Sequence, residues 1–288
     1  MTMMTDNLPD TELCSLEIEG PVARLTLMRP DVFNAMNIQM ISEIISLLDW
    51  TEKRSVARMG NLSDDSGNSY IRVLVFSGKG RHFCAGADIN MMRDAGAKSP
   101  AENRIDSERL DRLFNTLWAH PCFTIGIVQG VALGGGAGLV ACLDHVIVEP
   151  RTRIALSEGK LGIRPAVIGP YVYRRVGSSQ FRRLAMLAGR IDAEEALRIG
   201  MVDQAEESPE AAHEAASGVI DEVLTTGPMA VAEAKRLTLI FDRWESTDED
   251  LRLWTLDKTS EMRGSNEGQE GLSSFLEKRP ANWKPESE

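Results

Sequence analysis

Gly130-Val131-Ala132-Leu133-Gly134-Gly135-Gly136-Ala137-Gly138 lies between a strand-like run, Phe123 to Val128, and an apolar segment ending at Leu143 that reads as a helix. Glycines placed there let backbone approach a ligand closely, and a helix start offers unpaired N–H groups and partial positive charge to an anion. An oxyanion or phosphate site and a tight packing turn both fit the segment taken alone. A dinucleotide fingerprint does not fit, because Leu139 stands where the last glycine of Gly-x-Gly-x-x-Gly belongs. Cys122 to Cys142 is nearly all apolar and about as long as a bilayer requires. Its six glycines each weaken a helix by roughly 1 kcal/mol relative to Ala, so it reads as strand, glycine loop and buried helix, with no membrane span.

Outward from this point, strand-loop-helix units dominate. Leu16 to Glu19 and Val22 to Leu27 read as strands joined at Gly20-Pro21, followed by an amphipathic helix from about Asn37 to Asp49. Ile71 to Ser77 is a β-branched strand, Ile105 to Trp118 has helical spacing, and strands recur near His145 to Val148 and Ile154 to Leu156. Thr51 to Ser69 is polar and reads as an exposed loop. From Ser178 the pattern turns helical: Asp192 and Glu195 have capping-box spacing, Gly200 stands as a stop, and Pro209 to Leu224, Met229 to Phe241, Asp248 to Met262 and Gln269 to Lys278 follow. The fold class is therefore α/β, divided into a core over 1–205 and a helical region over 206–288.

The 288 residues are 43% hydrophobic and 26% charged, the balance of a globular protein. A net charge of -11 argues against a nucleic-acid partner, which demands clustered Lys and Arg, but leaves room for an anionic small ligand. Cys14, Cys84, Cys122 and Cys142 show no metal-ligand rhythm and read as free thiols. The polar stretch Met1 to Glu12 carries no visible secretory signal, and a cytoplasmic location is expected.

Two further places could carry chemistry. Gly78-Lys79-Gly80-Arg81-His82-Phe83-Cys84-Ala85-Gly86-Ala87-Asp88 lacks the Ser or Thr and the upstream glycine of a nucleotide loop, and remains a small-residue loop able to present a backbone N–H. Glu158 closes the apolar strand at Ile154 to Leu156. A carboxylate there is a desolvated proton shuttle if it faces the glycine loop, and a solvated loop residue or cap if it does not. His82 and His145 lack a ligand cluster and read as packing or surface residues; Asp88 reads as a helix cap.

Phe83-Cys84-Ala85-Gly86-Ala87-Asp88, the Gly130 to Gly136 stretch, Asp144, and Ser157-Glu158 ahead of Leu161-Gly162 together resemble the core motifs of the crotonase (enoyl-CoA hydratase/isomerase) family. Arg29-Pro30 with Asn34-Ala35-Met36 resembles its first CoA-contacting segment, and Ala196 to Asp203 and Phe275 to Arg279 match later segments, so the likeness runs from about Leu16 to Lys284. The resemblance implies a spiral of β-β-α units, a helical C-terminal trimerisation region, and a homotrimer or dimer of trimers. It implies that Ala87 and Gly135 N–H groups hold the thioester oxygen while Glu158 moves protons. Ala35, Ala85, Ile89 and Gly136 would lie along the acyl-CoA, and Phe275 and Lys278 would reach a CoA site from the C-terminal helix, in some members across a subunit boundary. Asp144 would end the active-site helix. No metal and no cofactor beyond the substrate's own CoA is implied.

Hydratases of this family commonly carry a second glutamate two residues after the glycine triplet, where this chain has Gly138. Leu161 to Val172 resembles the methylglutaconyl-CoA and isohexenylglutaconyl-CoA hydratase subgroup, whose substrates carry a distal carboxylate; Arg164 is a candidate partner for it, and equally a structural surface arginine. The expected reaction is hydration of a branched or dicarboxylic 2-enoyl-CoA. Its alternatives are a Δ3,Δ2-enoyl-CoA isomerase using Glu158 alone and a non-catalytic acyl-CoA-binding member.

Overall fold

The computed structural model describes residues 7–284; the first residues of the N-terminal stretch discussed above lie outside them. β1 (Cys14–Glu19) and β2 (Val22–Leu27) form an antiparallel hairpin whose turn places Gly20 at φ 54°. α1 (Ile38–Lys53) follows, capped by the Asn37 side chain accepting from Met40 N at 2.9 Å. Next come α2 (Val56–Met59), β3 (Val73–Gly78), α3 (Ile89–Ala95), α4 (Pro100–Trp118), β4 (Phe123–Val128), β5 (Val131–Leu133), α5 (Gly135–Cys142), β6 (His145–Val148) and β7 (Arg153–Ala155). The chain continues through α6 (Gly169–Leu187), α7 (Ala193–Arg198), β8 (Gln204–Ala205), α8 (Pro209–Thr225), α9 (Pro228–Asp242), α10 (Asp248–Gly264) and α11 (Asn266–Glu277).

The main sheet has the order β1-β2-β3-β4-β6-β8 and is parallel beyond the first hairpin. Its inner strands β3, β4 and β6 are buried on both faces, because both are covered. Leu25, Leu74 and Phe76 face α1 and α4, where Met40, Ile44, Leu113 and Leu117 are fully buried. Val73, Val75, Ile125 and Ile147 face the other way, onto Ala212, Ala216 and Ile220 of α8. The first element beyond residue 205 therefore shares the core of the sheet. Arg72 fastens this helix by donating to Leu224 O (3.1 Å) and Thr226 O (2.7 Å), and holds the tail through Trp283 O (2.7 Å).

A second ladder stands beside the sheet. β5 pairs with β7, and single bridges extend it from Ala132 to Cys84 and from Ile154 to Ile191; a separate bridge joins Met36 to Ala87. It is short and glycine-bounded, so the sequence pattern merged β5 with the loop.

Thr51 to Ser69 departs from the expected exposed loop. α1 runs on through Thr51, which is buried with its hydroxyl bonded to Leu47 O (2.9 Å) and His120 Nε2 (3.0 Å), and Val56 N bonds Ile71 O (3.0 Å). Only the later part is an exposed turn, built on Asp64 Oδ1 accepting from Ser66 N and Asn68 N, each at 2.9 Å. α6 begins at Gly169, ahead of the expected onset at Ser178, and breaks at Gly177 (φ 74°, ψ 169°). Cys122 to Cys142 is β4, β5 and α5, and among the described residues no helix is long and apolar enough to cross a membrane. All four cysteines are free and buried.

Candidate active site

Asn34 sets up the first loop. Fully buried at φ 55°, it accepts from Arg29 N (2.8 Å) and donates to Lys79 O (3.0 Å) and His82 O (2.7 Å), tying the segment after β2 to the loop after β3. Met36 N then donates to Gly86 O (2.7 Å), and Asp88 N to Met36 O (2.9 Å). Both bonds of this bridge use the residues flanking Ala87, so the Ala87 N–H points away from it. Asp88 caps α3 by accepting from Asn90 N (3.0 Å) and pairs with Arg29 (3.2 Å). Burial pushes its carboxyl up, but the Asn90 N–H and the Arg29 guanidinium outweigh this and hold it below its ordinary value.

The second loop meets the first at close quarters. Leu133 N bonds Cys84 O (3.0 Å), Gly134 N bonds Ala155 O (2.8 Å), and Gly134 turns at φ 50° to start α5 at Gly135. A Cβ on Gly86 would stand 2.6 Å from Leu133 O and 3.3 Å from Gly135 N, and one on Gly135 would stand 3.8 Å from Ala87 N. Two backbone N–H groups thus converge, and among the described residues neither donates to a backbone carbonyl. The Gly135 N–H is free because it opens a helix.

Glu158 sits on the 3-10 turn Ser157–Leu161 that follows β7. Since β7 runs beside β5, this turn abuts Gly134: Glu158 Oε1 lies 3.2 Å, and Ser157 Oγ 3.3 Å, from where a Gly134 Cβ would be. Glu158 Oε2 is buried without a hydrogen-bond partner, and burial raises the carboxyl pKa above its ordinary value. An unpaired carboxylate beside two fixed donors is the equipment for enolate chemistry: the donors stabilise negative charge as it develops, and the carboxyl moves the proton.

These groups line one cavity of about 630 Å³. Ala35, Ala85, Ala87, Ile89, Gly135, Glu158 and Arg164 of the expected site all face it. Arg164 is exposed and, among the described residues, makes no ion pair. Gly136 does not line the cavity; it packs on the Cys84 backbone, where a Cβ would meet Cys84 O at 2.2 Å. Phe275 and Lys278 also stand outside its wall, at the solvent-exposed end of α11, with Phe275 82% exposed. Two other hollows, of about 660 and 930 Å³, lie against α8, α9, α10 and α11 and contain neither N–H donor nor Glu158.

An enoyl-CoA hydratase/isomerase family model matches residues 17–286. The chain belongs to that family. A crotonyl-CoA hydratase of Syntrophomonas wolfei is 30% identical over 271 residues, covering 93% of this chain and 96% of its own. Among solved structures, an enoyl-CoA hydratase from Shewanella pealeana superposes with a TM-score of 0.85 at 34% identity, covering 95% of this chain and 97% of that one. Pseudomonas aeruginosa AtuE gives 0.85 at 34%, covering 95% and 100%. The α/β crotonase fold expected from the sequence is the observed one.

Within this enoyl-CoA hydratase/isomerase family member, the position two after the glycine triplet is physically filled. A Cβ on Gly138 would lie 2.4 Å from Ile168 Cγ2 and 3.0 Å from Phe114 Cε1, both cavity-lining side chains, so a larger residue there would have to displace Ile168. Ile168 and Ser157 carry no functional signal in the linear sequence, since their approach to Gly138 and Gly134 exists only in three dimensions. Asp144 lies just past α5, accepting from Thr124 N (2.8 Å) and pairing with Lys235 of α9 (2.6 Å). His82 packs edge-on to Phe33 at 4.6 Å, and His145 Nε2 contacts Gln204 at 3.3 Å.

Proposed function

We propose that this enzyme adds water across a 2-enoyl-CoA, or removes it in reverse. The observation that carries the proposal is the unpaired Glu158 carboxylate beside the converging Ala87 and Gly135 N–H groups. The thioester oxygen would be held by those two donors. Glu158 would take a proton from water as the new C–O bond forms at C3 and return it to C2. Ala35, Ala85 and Ile89 would flank the CoA thioester, and the apolar wall of Met91, Leu110, Phe114 and Val167 would take the acyl chain.

The acyl group we favour is branched or dicarboxylic, such as 3-methylglutaconyl. Arg164 supports this: it lines the cavity and has no ion pair among the described residues, leaving its guanidinium able to meet a distal carboxylate. The assembly we favour is a homotrimer or dimer of trimers, supported by Leu272, Phe275 and Leu276, which are 53%, 82% and 78% exposed along α11. In such an assembly Phe275 and Lys278 would serve a CoA site across the subunit boundary. A cytoplasmic location fits the free thiols.

A second reading, Δ3,Δ2-enoyl-CoA isomerisation, is favoured by Gly138, which packs on Ile168 and leaves Glu158 alone to carry a proton between C2 and C4. A panel of crotonyl-CoA, 3-methylglutaconyl-CoA and a 3-enoyl-CoA, followed by product mass, separates the two. A product heavier by one water supports hydration, and new conjugation at unchanged mass supports the isomerase. Arg164→Ala should lower kcat/KM for the dicarboxylic substrate by about 10-fold or more, the scale of a charged hydrogen bond, and leave crotonyl-CoA unaffected.

A further inference from the structure

A lone carboxylate can accept one proton from water, but it does not by itself fix the direction in which the water's lone pair points. Ser157 Oγ and Glu158 Oε1 converge on Gly134, 3.3 and 3.2 Å from the same point, and Gly134 itself turns at φ 50°, a conformation that side chains disfavour. Ser157 lines the cavity, and among the described residues its hydroxyl makes no hydrogen bond. Position 138 carries no carboxylate, and the cavity wall next to it is the apolar side chain of Ile168, which is 4% exposed and packed against Gly138. The Ser157 hydroxyl is thus a polar group close to Glu158 Oε1 on the cavity wall.

We propose that the Ser157 hydroxyl is a catalytic group that holds the attacking water against Glu158. The proposal rests on the hydratase reading. Ser157 Oγ accepts one O–H of the water and Glu158 takes the other proton. The water oxygen bonds to C3, and the C2=C3 electron pair moves to the enolate held by Ala87 and Gly135. As the enolate collapses to the thioester, C2 takes the proton back from Glu158, so one molecule of water has been added and nothing else is consumed.

The test compares wild type, Ser157→Ala and Ser157→Thr in two assays: hydration of crotonyl-CoA and 3-methylglutaconyl-CoA, and deuterium exchange at C2 of butyryl-CoA in heavy water. Exchange needs Glu158 and the two N–H donors but no attacking water. Ser157→Ala is expected to lower the hydration kcat by about 100-fold, the scale of a positioned polar group in acid–base catalysis, while leaving exchange unchanged. Ser157→Thr, which keeps a hydroxyl, is expected to retain hydration. Hydration by Ser157→Ala at the wild-type rate overturns the role of Ser157 and leaves the hydratase reading standing. Parallel loss of exchange and hydration also overturns it, by showing that the serine merely supports Glu158. A wild-type protein that exchanges C2 protons but adds water to neither substrate overturns both.

Discussion

Burial acts on Glu158 before any substrate arrives. Its carboxyl is pushed above the ordinary glutamate value, so the charged form costs stability in the folded state. Below the unfolded pKa, about 4.3, both states are protonated and there is no penalty; the penalty grows as pH rises through the folded pKa. Glu158→Gln should therefore melt at a higher temperature than wild type at neutral pH, and the difference should close below about pH 4. The acid limb of kcat/KM against pH should fall at a pKa above the ordinary glutamate range, because the base must be ionised to accept the proton of water. An acid limb at the ordinary carboxylate value would contradict a desolvated Glu158. Glu158 stood out through the family resemblance, since a carboxylate closing a strand reads by itself equally as a solvated cap. Ser157 and Ile168 did not, because what matters about them is how closely they approach Gly134 and Gly138.

At the scale of elements, the site depends on loops pressed against one another between short strands and the start of α5. Gly138 is a close contact of α5 with neighbouring side chains: an added methyl would sit 2.4 Å from Ile168 Cγ2, 2.9 Å from Ile168 Cβ and 3.0 Å from Phe114 Cε1. Gly138→Ala should destabilise the protein by about 1–3 kcal/mol in denaturant unfolding, the usual cost of overpacking a filled core. Pairing it with Ile168→Ala should recover part of that loss relative to the sum of the two single changes. Additive effects would show that the two side chains do not compete for space. Most helices and long strands could be read from periodicity, while β5 and β8, of three and two residues, were too short to leave one. Thr51 misled the reading of its segment because its polar side chain is buried yet fully satisfied by Leu47, Leu48 and His120.

Over the whole molecule, the distribution of exposed apolar surface is uneven. α10 buries no residue and α11 only Ser274, yet Leu253, Leu256, Leu272, Phe275 and Leu276 stand exposed on them. Light scattering should return a mass of three chains or six. Phe275→Asp with Leu276→Asp should shift it toward one chain, whereas a monomeric wild type would contradict the proposed assembly. In the sequence the helical pattern sets in from Ser178, and the region over 206–288 reads as helices alone. Long-range packing, invisible in a linear pattern, carries α8 back onto the sheet through Ala212, Ala216 and Ile220.

The most direct test of the chemistry assigned to the cavity is a comparison of binding and turnover in Glu158→Gln. Calorimetry with butyryl-CoA should give nearly the wild-type Kd, since the amide keeps the shape of the carboxylate. Turnover of the best 2-enoyl-CoA should fall by about 100-fold to 10,000-fold, the range for loss of a positioned general base. Full activity in the variant, or tight acyl-CoA binding by a wild-type protein with no turnover of any member of the panel, would contradict the assignment of Glu158 as the proton carrier.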